Sequence, residues 1–461
     1  MKEWKGRGAE TLTAAYTNGR LSPVAVVEAL FEQIDALDCG LGAMRTLYRD
    51  AALETARASE HRWKRRAPLS PLDGVPVTLR EDFPLEGLES LRSGDDEAEL
   101  ASPVLERLHE AGCIILGTTV MSADDTLAAG LTADGRVLRN PWSPGASTGG
   151  SSAGAALACV AGYAPLHVAY DRFGSARLPA AFCGVFGFKP SQGRIPMAAP
   201  ALGRGAAVLS RHVHDAAALM NILSRPDARD YTSLPPESTE YRMQVDGLSP
   251  KSLSIAVLGD IGIGLPVDPA VQKALHCAAR SLQMAGATVE MIDSFMTPAM
   301  SDGIQRFLEA MAHADAQAGQ SRDAGPVAAF IEEWRSWRAA DFSGLEVMRA
   351  WQNIMAIRAA ANQVMSGYDF LLMPTSPVLP YAAEALSPSG NPRDGLPHIG
   401  FTVPWNLAEN PAATLNWGHA DDGLPVGLQI VGHRFDDLGV LRLSRTLEIM
   451  RPEPEPWPCG A

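Results

Sequence analysis

The chain predicts an α/β fold, and three observations carry that prediction. Strand-length apolar runs (VPVTL, CIILG, APLHVAY) are separated by segments with apolar residues at helical spacing. From Leu253 the order strand (LSIAVLG), helix opened by Asp268 and Pro269, strand (ATVEMID) spells a βαβ unit. A chain of 461 residues, 46% hydrophobic and 20% charged, can bury a large core as one big domain or two smaller ones.

The elements follow in order. Ser22 and Pro23 read as N-cap and first helical residue, and Val27, Leu30, Phe31, Ile34 and Leu37 recur at helical spacing until Gly40 stops the helix. A second helical pattern covers about 45–66, and PLDGVPVTL reads as a turn feeding a strand that ends on Arg80. Pro103 to Gly112 reads as helix and CIILG as a buried strand. Residues 152–162 are nearly all small, which suits a helix packed closely on a sheet, and APLHVAY is the strand leading into the turn Asp171 to Ser175. Residues 225–250, rich in proline and charge, read as a surface loop; 303–367 read as helical; the tail RPEPEPWPCGA, 451–461, is expected to fray.

Composition excludes several functions. A net charge of −14 argues against nucleic acid, which demands clustered Lys and Arg. The basic run Arg62 to Arg66 reads as a solvated helix face. No apolar run approaches the roughly 20 residues of a membrane span, and MKEWKGRGAE lacks the apolar stretch of a signal peptide, so a cytoplasmic protein with no membrane partner is expected. The six cysteines (39, 113, 159, 183, 277 and 459) form no CxxC pair and read as buried free thiols, with no zinc or other metal site.

The segment Asn140 to Arg194 is the most informative. It sets Ser151 and Ser175 in separate glycine-flanked turns joined by a small-residue helix and a strand, a layout that brings two hydroxyls from different elements to one point. A flexible linker would be flanked by polar sequence; GASTGGSSAG is flanked by NPW and an apolar helix pattern. Ser175 taken alone reads as a turn serine satisfying backbone groups.

GGSSAG, DRFGSARLPA and FCGVFGFKPSQGR together resemble the signature of the amidase signature family, serine hydrolases of C–N bonds. The resemblance runs from roughly residue 10 to 450. It implies a single amidase-like domain over 1–461, with a mixed central sheet covered by helices on both faces, core motifs at 70–200 and a variable, pocket-shaping region at about 225–367. It implies no cofactor. Ser175 aligns with the nucleophile, Ser151 with the serine that relays its proton, and Ser152 stands beside it. Arg172, Phe173 and Gly174 align with the backbone donors of the oxyanion hole, and Asp171 and Arg177 with an ion pair bracing the turn. The lysine that ends the relay aligns with Arg80, in GVPVTLRED.

Arginine stays protonated and cannot accept a proton, so Arg80 is no conservative replacement. If buried it needs a carboxylate, with Glu81, Asp82 and Asp124 as candidates, or a contact with Ser151. Lys189, in FGFKPSQG, is present in the family besides its catalytic lysine and reads as structural. His167 reads as a satisfied core histidine, yet is the one nearby residue able to act as base. Phe173 replaces a usual glycine, which restricts the backbone at the oxyanion hole and fills the pocket; Ala153, Ala155, Thr118 and Val120 are further departures from the family pattern.

Two functions follow. One is a hydrolase of an amide or related C–N bond with an altered relay, favoured by retention of both serines. The other is a catalytically inactive ligand-binding or partner subunit, favoured by the clustered departures. The expected partners are a small-molecule amide or carboxylate-bearing ligand, since Arg80 and Arg172 make the cleft cationic, and a second copy of the chain as a homodimer.

Overall fold

The computed structural model describes residues 6–84, 102–125, 127–317, 327, 329, 330, 333, 342–391, 394, 397–452 and 456–458. Its centre is one sheet of 11 strands. In chain order these are β1 (Met44–Leu47), β2 (Pro76–Arg80), β3 (Ile114–Thr119), β4 (Leu166–Arg172), β5 (Phe186–Lys189), β6 (Arg204–Ser210), β7 (Ser254–Leu258), β8 (Thr288–Ile292), β9 (Phe370–Pro374), β10 (Ala412–His419) and β11 (Pro425–Gly432). In space the order is β1-β3-β2-β4-β6-β5-β10-β11-β9-β7-β8. Strands β3, β2 and β4 run parallel, as do β9, β7 and β8, while the strands between them pair antiparallel. The mixed α/β sheet expected from the resemblance is therefore present. Strands β2 and β9 are buried throughout, which is why VPVTL and LLMP carry almost no polar alternation.

The helices are α1 (Ala9–Thr17), α2 (Pro23–Leu41), α3 (Arg49–Lys64), α4 (Pro103–Glu110), α5 (Ala153–Val160), α6 (Arg177–Cys183), α7 (Val213–Leu223), α8 (Tyr241–Gln244), α9 (Pro269–Met284), α10 (Pro298–Gln317), α11 (Gly344–Met365), α12 (Val403–Leu407) and α13 (Asp437–Met450). Helix α2 starts where the sequence says, Ser22 Oγ accepting from the Val24 and Ala25 N–H groups. It runs past Gly40, however, and ends at Gly42, whose φ of 64° supplies the left-handed cap. The expected helix over 45–66 is split, because Met44–Leu47 pairs with β3 as an edge strand before α3 begins. The loop 225–250 carries the short helix α8, anchored by buried Tyr241. Most of the region between α10 and α11 lies outside the described residues.

Three surface expectations need correction. Arg62 is not merely solvated: its guanidinium grips buried Asp73 at 2.6 and 2.7 Å. Cys39 and Cys277 are exposed, whereas Cys113, Cys159 and Cys183 are buried; Cys459 lies outside the described residues. In the tail, Trp457 docks, with the Arg211 guanidinium 4.5 Å over its ring and Trp142 6.2 Å away. An indole against a cation and an apolar neighbour outweighs the fraying that proline-rich composition suggests.

Candidate active site

The site forms at the carboxyl ends of the parallel strands β2 and β4, where α/β sheets open toward ligands. Strand β2 delivers Arg80 and β4 delivers Tyr170, Asp171 and Arg172. Between them α5 leans on the sheet so closely that a Cβ at Gly154 would sit 2.4 Å from Val120 O and 2.6 Å from Ala43 O. The small residues of 152–162 are thus a packing requirement, and they set Ser151 and Ser152 beside Arg80. The Gly150–Ser151 peptide bond is cis.

Ser175 lies in a tight turn between β4 and α6. Gly174 has φ of 107°, and a Cβ there would fall 2.2 Å from Thr402 Oγ1, so the position demands glycine. Phe173 is also left-handed, with φ of 58°. Its carbonyl accepts from Thr402 Oγ1 at 2.7 Å, and its buried ring packs on Gly203 within an apolar cluster that includes Leu178, Phe182, Phe401 and Val403. Asp171 braces the turn: its carboxylate accepts from the Gly174 and Arg177 N–H groups at 2.9 and 3.1 Å and from Arg177 Nε at 2.9 Å. Arg177 also donates to Gln429, Asn406 and Thr402 O. Burial opposes the charge on Asp171, yet the Arg177 guanidinium and its bonds hold the carboxyl at about 2.

The Ser151 and Ser175 hydroxyls each have other direct hydrogen-bond partners. Ser175 Oγ accepts from Arg172 N at 2.9 Å and donates to Tyr170 O at 3.1 Å. Ser151 Oγ accepts from Arg80 Nη1 at 3.0 Å and donates to Asp125, whose main-chain O and Oδ1 lie 3.0 and 3.1 Å away. Ser152 Oγ accepts from Arg80 Nη1 at 3.1 Å and donates to Tyr170 O at 2.9 Å. The turn's backbone donors are also engaged, Phe173 N with Gly203 O at 3.2 Å and Gly174 N with Asp171. Arg172 and Gly174 therefore use their N–H groups inside the turn, and Phe173 uses its own on Gly203.

Arg80 is fully buried and grips Asp82 with two bonds of 2.7 and 2.6 Å and Asp125 at 2.7 Å. Burial alone would drive the proton off, but the charges of Asp125 and Asp82 and their hydrogen bonds outweigh it and raise the pKa. Of the candidate carboxylates, Asp82 is a partner; Glu81 instead accepts from Met121 N and pairs with Arg45. Asp125 takes the place proposed for its neighbour Asp124. Sequence reasoning also missed Arg204, which reaches Asp82 at 3.0 Å and Asp125 at 3.4 Å. Arg172 and Arg204 face each other across β4 and β6, a like-charge pair that would be unfavourable without those two carboxylates. Tyr170 fills the remaining side, stacked on Phe83 at 4.0 Å and with Arg204 3.8 Å over its ring.

Comparison with known proteins decides the family. The family described as Amidase matches residues 25–441. An acylamidase of Rhodococcus erythropolis is 30% identical, over 98% of this chain and 97% of its own. The chain belongs to the amidase signature family. A component of the glutamyl-tRNA(Gln) amidotransferase of Chloroflexus aggregans is 29% identical over 94% of this chain and 95% of its own. Among solved structures, a bacterial aryl acylamidase of the amidase signature enzymes superposes with a TM-score of 0.85 at 27% identity, covering 97% of this chain and 96% of that one.

Within that family fold, two residues weighed as replacements for the lysine are occupied elsewhere. His167 stands at the other end of β4, five residues or about 16 Å of extended chain from Arg172. Its Nε2–H donates to Ala164 O at 3.0 Å and its Nδ1 takes the Thr78 hydroxyl at 2.7 Å, while burial lowers its pKa to about 3. It is a satisfied core histidine and not a base for Ser175. Lys189 donates to Asn410 O at 2.6 Å and Pro190 O at 2.9 Å, binding strand ends together. Two cavities lie nearby. One of about 150 Å³ is lined by Asp82, Asp125, Ser122 and Arg136; another of about 120 Å³ is lined by Ile304, Leu308, Ile399 and Val403, from the cluster that holds Phe173. Ser175 lines neither. No helix among the described residues is long and apolar enough to cross a membrane.

Proposed function

We propose that the chain is a hydrolase of the amidase signature type, cleaving an amide or related C–N bond of a small molecule through Ser175, with a proton relay that no longer ends on an amine. The Ser175 turn carries this reading. It keeps the glycine, the Asp171–Arg177 brace and the short bond from Arg172 N to the serine oxygen, and this much organisation around one hydroxyl suits a nucleophile. Arg80 is then a fixed cation. Together with Arg172 and Arg204 it lines the site with guanidinium groups, which favour a substrate bearing a carboxylate. The chemistry uses side chains and water alone, and on this reading the chain acts as one domain in the cytoplasm.

A serine-directed fluorophosphonate tests it. Covalent labelling that maps to Ser175 and vanishes in Ser175→Ala supports the hydrolase; a wild-type chain that stays unlabelled sinks it. A second reading, a ligand-binding or partner subunit without turnover, is favoured by the engagement of the Phe173 N–H with Gly203 O and of the Gly174 N–H with Asp171. Saturable binding of amides or carboxylates without labelling or hydrolysis would establish that alternative.

A further inference from the structure

Building on the Ser175 reading, we propose that Asp125 stands in for the missing amine as the terminal proton acceptor of the relay. The geometry at Ser151 points there. Its oxygen has three polar neighbours, and Arg80 Nη1 can only donate, so the Ser151 proton is directed at Asp125, to its carbonyl or its Oδ1. A buried carboxylate bonded to the bridging hydroxyl is the kind of group that can end such a relay. Ser175 is seated against this pair through the backbone, since Ser152 N–H, in the peptide that follows Ser151, donates to Ser175 O at 2.9 Å. At rest the Ser175 hydroxyl donates to Tyr170 O. The relay requires this hydroxyl to turn from Tyr170 O toward Ser151 when a substrate carbonyl enters.

The step balances as follows. The Ser175 O–H bond breaks as Oγ adds to the carbonyl carbon, and the C=O π pair moves onto the oxygen. The Ser175 proton passes to Ser151 Oγ while the Ser151 proton passes to Asp125 Oδ1. On collapse the proton returns by the same path to the leaving nitrogen as the C–N bond breaks, giving acyl-Ser175; water repeats both steps and releases a carboxylic acid. Arg80 from β2, Arg172 from β4 and Arg204 from β6 face Asp125, with Asp82 beside it and Glu81 and Asp124 along the same cavity wall. Protonation of Asp125 removes one negative charge beside these guanidinium groups, which leaves more of their positive charge to stabilise the oxyanion on the substrate.

The test measures fluorophosphonate labelling of Ser175 in the full chain, with circular dichroism and melting to verify folding. Asp125→Asn is expected to slow labelling by about 100-fold or more, the scale of lost general-base help. Asp125→Glu should retain part of the rate, and sodium formate should restore Asp125→Ala at least about tenfold, which a merely structural carboxylate would not allow. A folded Asp125→Asn that labels at the wild-type rate overturns the acceptor role while leaving Ser175 as nucleophile. So does a folded Asp125→Ala that formate does not accelerate. If Asp125→Asn fails to fold, the Glu variant and the formate response decide. A wild-type chain that is not labelled removes the Ser175 reading itself, and the relay with it.

Discussion

Two buried ionic clusters flank Ser175, and they are built on different principles. At Asp171 and Arg177 one carboxylate meets one guanidinium, and every other donor goes to neutral acceptors or the backbone of the turn. At Arg80 the carboxylates are shared unevenly: Asp125 also faces Arg172 and Arg204, Asp82 also meets Arg204, and two serine hydroxyls are additional acceptors. The first cluster holds backbone, so its loss costs structure. The second holds side chains that could move protons, and it contains spare partners, so its loss should cost less structure and more chemistry. Arg80 thus draws its counter-charges, Asp82 and Asp125, from the loops after β2 and β3.

The largest expected effect breaks the brace. Arg177→Met strands buried Asp171 and should cost about 3–5 kcal/mol, read as a lower urea midpoint. A loss under about 1 kcal/mol would show that the backbone donors alone hold the turn.

Next comes pH. Burial first, and the nearby Arg177 charge second, lower Lys189 from 10.5 to about 7. Between those values the unfolded chain binds a proton that the folded chain does not, so the Lys189 contribution to stability rises as pH increases through that window and is lost as pH falls to 7. Wild type compared with Lys189→Met from pH 7 to 10 should show this rise, on the order of a few kcal/mol, vanish in the variant. Parallel curves would mean that the carbonyls of Pro190 and Asn410 keep the amine charged.

The uneven cluster should yield less. Arg80→Met leaves Arg204 on Asp82 and is expected to cost about 2 kcal/mol. Arg80→Lys should cost less still and raise Ser175 labelling, because a buried ammonium can lose its proton where a guanidinium cannot. Weak turnover should persist until Phe173→Gly frees the turn. Efficient wild-type hydrolysis that Arg80→Lys slows would reverse this reading. Smallest is Arg172→Ala, whose guanidinium sits 4.0 Å from Asp125; about 1 kcal/mol is expected, visible in the melting temperature. A larger loss would mean the three guanidinium groups act as one unit.

Much of this was legible before any coordinates. Ser22, Pro23, Asp268 and the small residues of 152–162 announce their elements because caps and close packing act over a few residues. The start of α3 was not legible, since Met44–Leu47 becomes a strand only by pairing with β3. In the site, Asp171 with Arg177 was readable through the resemblance, which aligns both with a charged pair of the motif. Asp125 was not, because the choice between two adjacent aspartates depends on which one the loop after β3 turns inward.

The sequence by itself determined the α/β class, the two serine turns and the absence of a lysine after VPVTL, because each is written in local spacing or residue identity. Tertiary structure alone decided that His167 is spent on Thr78 and Ala164, that Arg204 joins Arg80, and that Asp125 faces Ser151. Those outcomes depend on cross-strand register and loop direction, through which residues far apart in the chain compete for the same buried charge.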